Sequence, residues 1–197
     1  KSQSELTISC HAFEARLYAE DVPKGFLPAT GTLTHLRFPD GVRADSGVRG
    51  GDTISPFYDP MIAKVIVHGP TRDVALAKLS AALKGTQVAG TVTNLSFLGA
   101  LAEHKGFAAG DVDTGLIARD IDTLTAVAVV TPSHWARAGM AAMGLDTPSA
   151  GAGFNLWAPL RQSVALSHEG EAVTLAVEVN SADTQTWYVG DAVVVAQ

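Results

Sequence analysis

His11-Ala12-Phe13-Glu14-Ala15-Arg16-Leu17-Tyr18-Ala19 alternates in character residue by residue. In an extended strand successive side chains point to opposite faces, so Phe13, Ala15 and Leu17 share one side and Glu14, Arg16 and Tyr18 the other. The first side is suited to a core and the second carries charge, which is the pattern of a half-buried strand. Downstream, Gly31 to Phe38 reads as another strand. It is followed by a Pro39-Asp40-Gly41 turn, a short Val42 to Ala44 segment and the turn-rich Gly47-Val48-Arg49-Gly50-Gly51-Asp52. Short antiparallel strands account for this spacing better than a crossover does.

Ile62 to His68 is a β-branched run ended by Gly69-Pro70. Thr71 is placed to cap a helix in which Val74, Leu76, Leu79 and Leu83 recur at helical spacing until Gly85 stops it. A second helix is expected from Thr93 or Asn94, with Leu95, Leu98 and Leu101 inward, ending at Lys105-Gly106. Two one-sided helices need a sheet to cover, so residues 1–120 read as an α+β domain in which helices pack on an antiparallel sheet.

Residues 121–153 have a different texture: a short helix from Ser133 to Met143 and a soft Asp146-to-Gly153 connector, together reading as a linker. From 154 to 197, Phe154 to Trp157, Ser163 to Ser167, Val173 to Val179, Thr186 to Val189 and Ala192 to Val195 read as closely spaced strands. So few short strands seldom complete a core, and a partial, truncated all-β barrel-like domain is the expectation.

Composition narrows the classes of function. With 47% hydrophobic and 17% charged residues the chain is globular in character, and a formal net charge of -6 without a Lys/Arg cluster disfavours a nucleic-acid or anionic-membrane surface. The longest apolar runs are too short to span a bilayer, and a secretory h-region is not evident at the N-terminus. Cys10, the single cysteine, can form no intramolecular disulfide or thiolate metal cluster and reads as a small buried strand residue rather than a reactive thiol. A cytoplasmic or organelle-matrix setting follows, and the opening on Lys1 suggests an excised fragment.

The six histidines have no metal-ligand spacing, and His11 and Glu14 point to opposite faces of their strand, so no metal site is expected. The chain contains neither a glycine-rich loop ending in Gly-Lys-Ser/Thr nor a Gly-x-Ser-x-Gly elbow, which removes the support for a phosphate loop or a serine hydrolase. Two charged positions stand out. Arg16 shares a strand face with Glu14, and Asp59 lies in the aromatic turn Phe57-Tyr58-Asp59-Pro60. On residue types alone these remain open between solvated or structural ion pairs and a site.

The order of several blocks goes further. The His11-to-Asp21 segment, Phe26-Leu27-Pro28-Ala29-Thr30-Gly31, Tyr58-Asp59-Pro60-Met61-Ile62-Ala63-Lys64, Thr93-Asn94 and Gly110-Asp111-Val112-Asp113-Thr114-Gly115 closely resemble the C-terminal part of biotin carboxylase domains, over roughly 110 residues. That resemblance implies an α-subunit fragment of a biotin-dependent acyl-CoA carboxylase, an ATP-dependent ligase. With an ATP-grasp portion upstream, such a subunit uses ATP, Mg2+ and bicarbonate to carboxylate N1′ of biotin held on a carrier domain of the same polypeptide. It further implies that Arg16 is catalytic, stabilising the biotin enolate, with Asp59 the second catalytic residue, Glu14 and Asp59 placed to orient the arginine and Tyr58 walling the pocket.

Arg43 matches a position at the dimer contact of the free-standing bacterial enzyme, although the Phe38-to-Arg43 turn is shorter here. Cys10 stands where many relatives have glycine. The ATP-holding elements and the Ala-Met-Lys-Met biotinylation motif have no counterpart, so the fragment alone is expected to be inactive and unbiotinylated. Gly153-Phe154-Asn155-Leu156-Trp157 and the strands after it resemble the domain that docks the α subunit of methylcrotonyl-CoA and related carboxylases on the carboxyltransferase β subunit. Methylcrotonyl-CoA carboxylase is preferred over propionyl-, geranyl- or acetyl-CoA carboxylase, and a bacterial cytoplasm over a mitochondrial matrix. A pure assembly role, docking on the β subunit, is the alternative.

Overall fold

The computed structural model describes residues 2–5, 7, 9–126, 129–147, 154, 156–168 and 170–196. Internal contacts divide the chain into two units, residues 1–126 and 127–197. After a single 3-10 turn at Gln3–Glu5, the first unit runs β1 (His11–Tyr18), β2 (Glu20–Asp21), β3 (Leu27–Pro28), β4 (Gly31–Thr32), β5 (His35–Arg37), β6 (Arg43–Ser46), β7 (Thr53–Ile54) and β8 (Met61–Gly69). It continues as α1 (Arg72–Gly85), β9 (Gln87–Ala89), α2 (Leu95–Glu103), α3 (Lys105–Ala109) and α4 (Leu116–Leu124).

Its central sheet has the order β1-β8-β6, with both pairings antiparallel. The alternation of β1 becomes burial: Ala15 and Leu17 are buried while Glu14 and Arg16 are exposed. Ala15, Val65 and Val67 pack under Leu76, Leu79, Ala82 and Leu83 of α1 and Ala102 of α2, so both helices cover one face and leave the other open. Thr71 Oγ1 accepts from Val74 N at 3.3 Å and caps α1.

The pairing of β1 with β8 slips between Leu17, opposite Ala63, and Tyr18, opposite Met61, leaving Ile62 as an extra residue. The slip lets Ile62 and Ala63 both be buried despite being neighbours. Ser46 Oγ donates to the Ile62 carbonyl at 2.8 Å, supplying a hydrogen bond where the ladder is interrupted.

Several local expectations are corrected. Gly31 to Phe38 is two short strands, because Leu33 N donates to Asp52 O and Thr34 N to Ala89 O, so the segment changes partner midway. Gly90, at φ +105°, allows that crossing: a Cβ there would lie 1.9 Å from the Thr32 carbonyl oxygen. Val74 faces solvent, and Ala75 and Ala82 take the inward positions. In α2 the fully buried residues are Phe97 and Ala102, while Leu95, Leu98 and Leu101 lie at the margins of the clusters. Cys10 precedes β1 and is exposed rather than buried.

The second unit contains α5 (Pro132–Ala142) and the antiparallel strands β10 (Arg161–His168), β11 (Glu171–Val179), β12 (Gln185–Val189) and β13 (Ala192–Ala196), ordered β10-β11-β12-β13. Ala136 of α5 packs with Leu175, Val177, Val179 and Trp187. The helix read as part of a linker therefore covers the sheet, since neither surface could bury its apolar side alone. Residues 121–126 lie with the first unit, where Leu124 packs with Val22 and Phe97. The sheet is open, with β10 and β13 as its outer strands. Leu156 and Trp157 lie in a bend and are exposed, so the strand expected from Phe154 to Trp157 does not form over them, and Asn155 is outside the described residues.

Candidate functional site

The face of the β1-β8-β6 sheet opposite the helices gathers charge. Cross-strand partners in an antiparallel ladder share a face. Arg16 is opposite Lys64, which is opposite Asp45; one step along, Glu14 is opposite Ile66, which is opposite Arg43. Three cations and two carboxylates therefore lie in two adjacent rows, a locally cationic surface on a chain of net charge -6.

Arg16 Nε donates to Glu14 Oε1 at 3.2 Å, and the Arg16 side chain remains 63% exposed. Glu14, with Tyr18 adding to it, holds the guanidinium more firmly in its charged form. Engagement of Nε orients the planar fork and leaves the outer nitrogens for an incoming acceptor. Arg43 donates to both Asp45 oxygens, at 3.0 and 2.8 Å, in a bidentate pair. That pair draws the Asp45 carboxyl below its ordinary range, with Lys64 contributing. Arg43 also borders a cleft of about 570 Å³ between β6 and α1, lined by Val42, Ile66, Lys78 and Ala82 among others. It is exposed on an edge strand, where a subunit contact would be accessible.

The structure brings together some of the expected residues and not others. Glu14 joins Arg16 as expected, whereas the ion pair of Arg16 is with Glu14 and not with Asp59. Asp59 lies in the exposed β7–β8 turn, and the next residue's carbonyl accepts from Ala19 N at 2.9 Å, which ties the turn to the end of β1. Tyr58, in the same turn, is 85% exposed. Lys64, Asp45, Tyr18 and Asn94 were not among the candidates. The first two could have been found only by pairing the alternations of three strands in the right register. Among the described residues no group of three or more metal-ligating side chains occurs, and no helix is long and apolar enough to cross a membrane.

Asp59 has an acidic neighbour. Glu20 of β2 is pushed above its ordinary value of 4.5, first by burial and second by the negative charge of Asp59. The folded state thus binds this proton more tightly than the unfolded chain. The associated stability is fully present below the ordinary glutamate value and is lost as pH rises through the raised one. Glu20→Gln should therefore raise the thermal midpoint by about 2 °C at neutral pH and leave it unchanged near pH 3. Melting curves at the two pH values check this, and an equal shift at both would exclude a titration origin.

The sequence profile described as "Biotin carboxylase C-terminal domain" matches residues 14–119. The mitochondrial methylcrotonoyl-CoA carboxylase subunit alpha of Arabidopsis thaliana is 57% identical over 119 residues, 59% of this chain and 16% of that protein. Biotin carboxylase 2 of Bacillus subtilis is 48% identical over 118 residues, 59% of this chain and 26% of that protein. Among solved structures, the biotin carboxylase domain of Hydrogenobacter thermophilus 2-oxoglutarate carboxylase, in complex with MgADP, ADP and bicarbonate, superposes with a TM-score of 0.62 at 29% identity. It covers 65% of this chain and 29% of that one. The chain thus spans less than a third of the length of each of these relatives.

Proposed function

Because this chain belongs to the biotin carboxylase C-terminal domain family, we propose that it forms one wall of a biotin-carboxylating site within a biotin-dependent acyl-CoA carboxylase α subunit, with Arg16 as the catalytic residue. The observation that carries the proposal is the oriented, exposed guanidinium of Arg16 on the cationic open face of the sheet.

Biotin's ureido group becomes nucleophilic when N1′ gives its proton to a base on another part of the subunit and negative charge develops on the ureido oxygen. A guanidinium fixed beside that oxygen favours the charged state over the neutral one, which lowers the barrier rather than only tightening binding. Glu14 holds the fork, Tyr18 supports the guanidinium, and Lys64 adds positive potential one strand away. Asp59 serves the site from the β7–β8 turn that is tied to the end of β1, and Tyr58 and Arg43 are assigned to biotin contact and subunit contact. ATP and Mg2+ are bound mainly by the ATP-grasp part of the subunit and bicarbonate is the co-substrate; that the 2-oxoglutarate carboxylase domain is in complex with MgADP and bicarbonate supports the choice of ligands. The biotin carrier and the carboxyltransferase β subunit are the macromolecular partners, and this segment alone is inactive.

Methylcrotonyl-CoA is the preferred final acceptor, supported by the 57% identity to the Arabidopsis subunit. A bacterial cytoplasm is the preferred setting. The reading is tested by transfer of labelled bicarbonate to biotin in the intact subunit carrying Arg16→Gln. Loss of transfer in a folded protein supports it, and undiminished transfer sinks it.

A further inference from the structure

Asn94 immediately precedes α2, where its side chain makes no cap hydrogen bond to the helix. It reaches instead to the free edge of β1. Its Oδ1 accepts from Tyr18 N at 2.9 Å, its Nδ2 donates to Arg16 O at 3.2 Å, and its own backbone N donates to Tyr18 O at 3.1 Å. The side-chain amide thereby occupies the place that a peptide group of a neighbouring strand would take, bonding one residue's carbonyl and the N–H two positions on. Asn94 is 5% exposed, so these bonds are shielded from competing water.

We propose that Asn94 is a positioning residue for Arg16: it locks the backbone from Arg16 to Tyr18 against α2 and so fixes where the guanidinium stands. The opposite edge of β1 at this point is irregular, because the pairing with β8 slips between Leu17 and Tyr18. A strand next to a bulge has a weakened ladder on one side and needs a fixed partner on the other. Asn94 is that partner, and α2 in turn is seated by Phe97, buried with Val22 and Leu124. A sub-ångström shift of β1 would displace the guanidinium relative to the reacting oxygen, where small misplacements cost rate steeply.

The inference rests on the assignment of Arg16 above. In the intact carboxylase subunit, Asn94→Ala should lower kcat for biotin carboxylation about 10- to 100-fold while leaving the KM for ATP unchanged. The deciding measurement is the double-mutant cycle with Arg16→Lys, which keeps the charge but not the rigid fork. There the further loss from Asn94→Ala should shrink to about twofold. A loss of the same factor in both backgrounds would mean that Asn94 acts on stability alone, and the positioning role would be overturned. Should Asn94→Ala fail to fold, Asn94→Ser takes its place in the cycle, because its neutral hydroxyl fits the site but is too short to bond Tyr18 N and Arg16 O together. Failure of the underlying reading has a separate signature: Arg16→Lys and Arg16→Gln would then both retain full activity, whatever Asn94 does.

Discussion

Arg16→Gln in the intact subunit is expected to lower the rate of biotin carboxylation by about 10²- to 10³-fold, the usual cost of removing a donor aimed at developing negative charge. The thermal midpoint should move by no more than about 2 °C, because the side chain is 63% exposed and its ion pair with Glu14 lies at the surface. Glutamine extends only as far as the arginine Nε, two bonds short of the outer nitrogens, so the variant removes the charge and the outer fork together. Arg16→Lys should fall between the two, since an ammonium supplies charge without two parallel N–H groups. The loss should appear in kcat, with the KM for ATP unaffected. A matching rise in the KM for biotin at constant kcat would instead mean that Arg16 binds the ground state as strongly as the transition state, and the catalytic assignment would have to be abandoned. Glu14→Gln should cost less than Arg16→Gln, because Glu14 acts through the arginine.

Parts of this site were open to reading in the amino-acid order and parts were not. The alternation from His11 to Tyr18 was enough to place Glu14 and Arg16 on a polar face, because a half-buried strand has only two faces to divide among its residues. The run from Ile62 to His68 was equally plain as a strand, yet which residue of β1 each of its residues stands beside was hidden, since pairing register is not written in either strand alone. Lys64 therefore went unrecognised beside Arg16 although its identity was in view. Asn94 was read as a helix start, and it does stand there, but its side chain serves a strand 76 residues away in sequence. Local preference cannot show such a contact, because the same residue type suits either role. Asp59 stood out in its aromatic turn, but its role and that of Tyr58 came from resemblance alone, and both side chains are exposed in the β7–β8 turn. In the second unit the spacing of Ser133 to Met143 revealed a helix. Its partner sheet begins at Arg161, beyond a stretch rich in proline and glycine that reads as a boundary.

That helix-on-sheet partnership depends on one side chain more than any other. Trp187 is fully buried, and its Nε1 donates to Gln185 Oε1 at 3.2 Å, while Gln185 Nε2 donates to the Leu145 carbonyl at 3.0 Å. The ring sits against Gly139 of α5 so closely that a Cβ there would come within 2.4 Å of Trp187 Cζ3. A small residue on the helix and a large one on the sheet are thus a matched pair. Trp187→Ala empties the centre of the cluster and leaves an acceptor of Gln185 unpaired, and should cost about 3–5 kcal/mol. A core of this size has little stability in reserve, so the second unit should be largely unfolded in that variant at 37 °C. Trp187→Phe keeps most of the volume but not the donor and should cost about 1–3 kcal/mol. Gly139→Ala should cost a similar amount from the opposite direction, by overpacking. Amide exchange across Val173 to Val179, followed in urea, checks all three. Protection of those amides surviving Trp187→Ala would show that the sheet stands without the tryptophan and that α5 only lies on it.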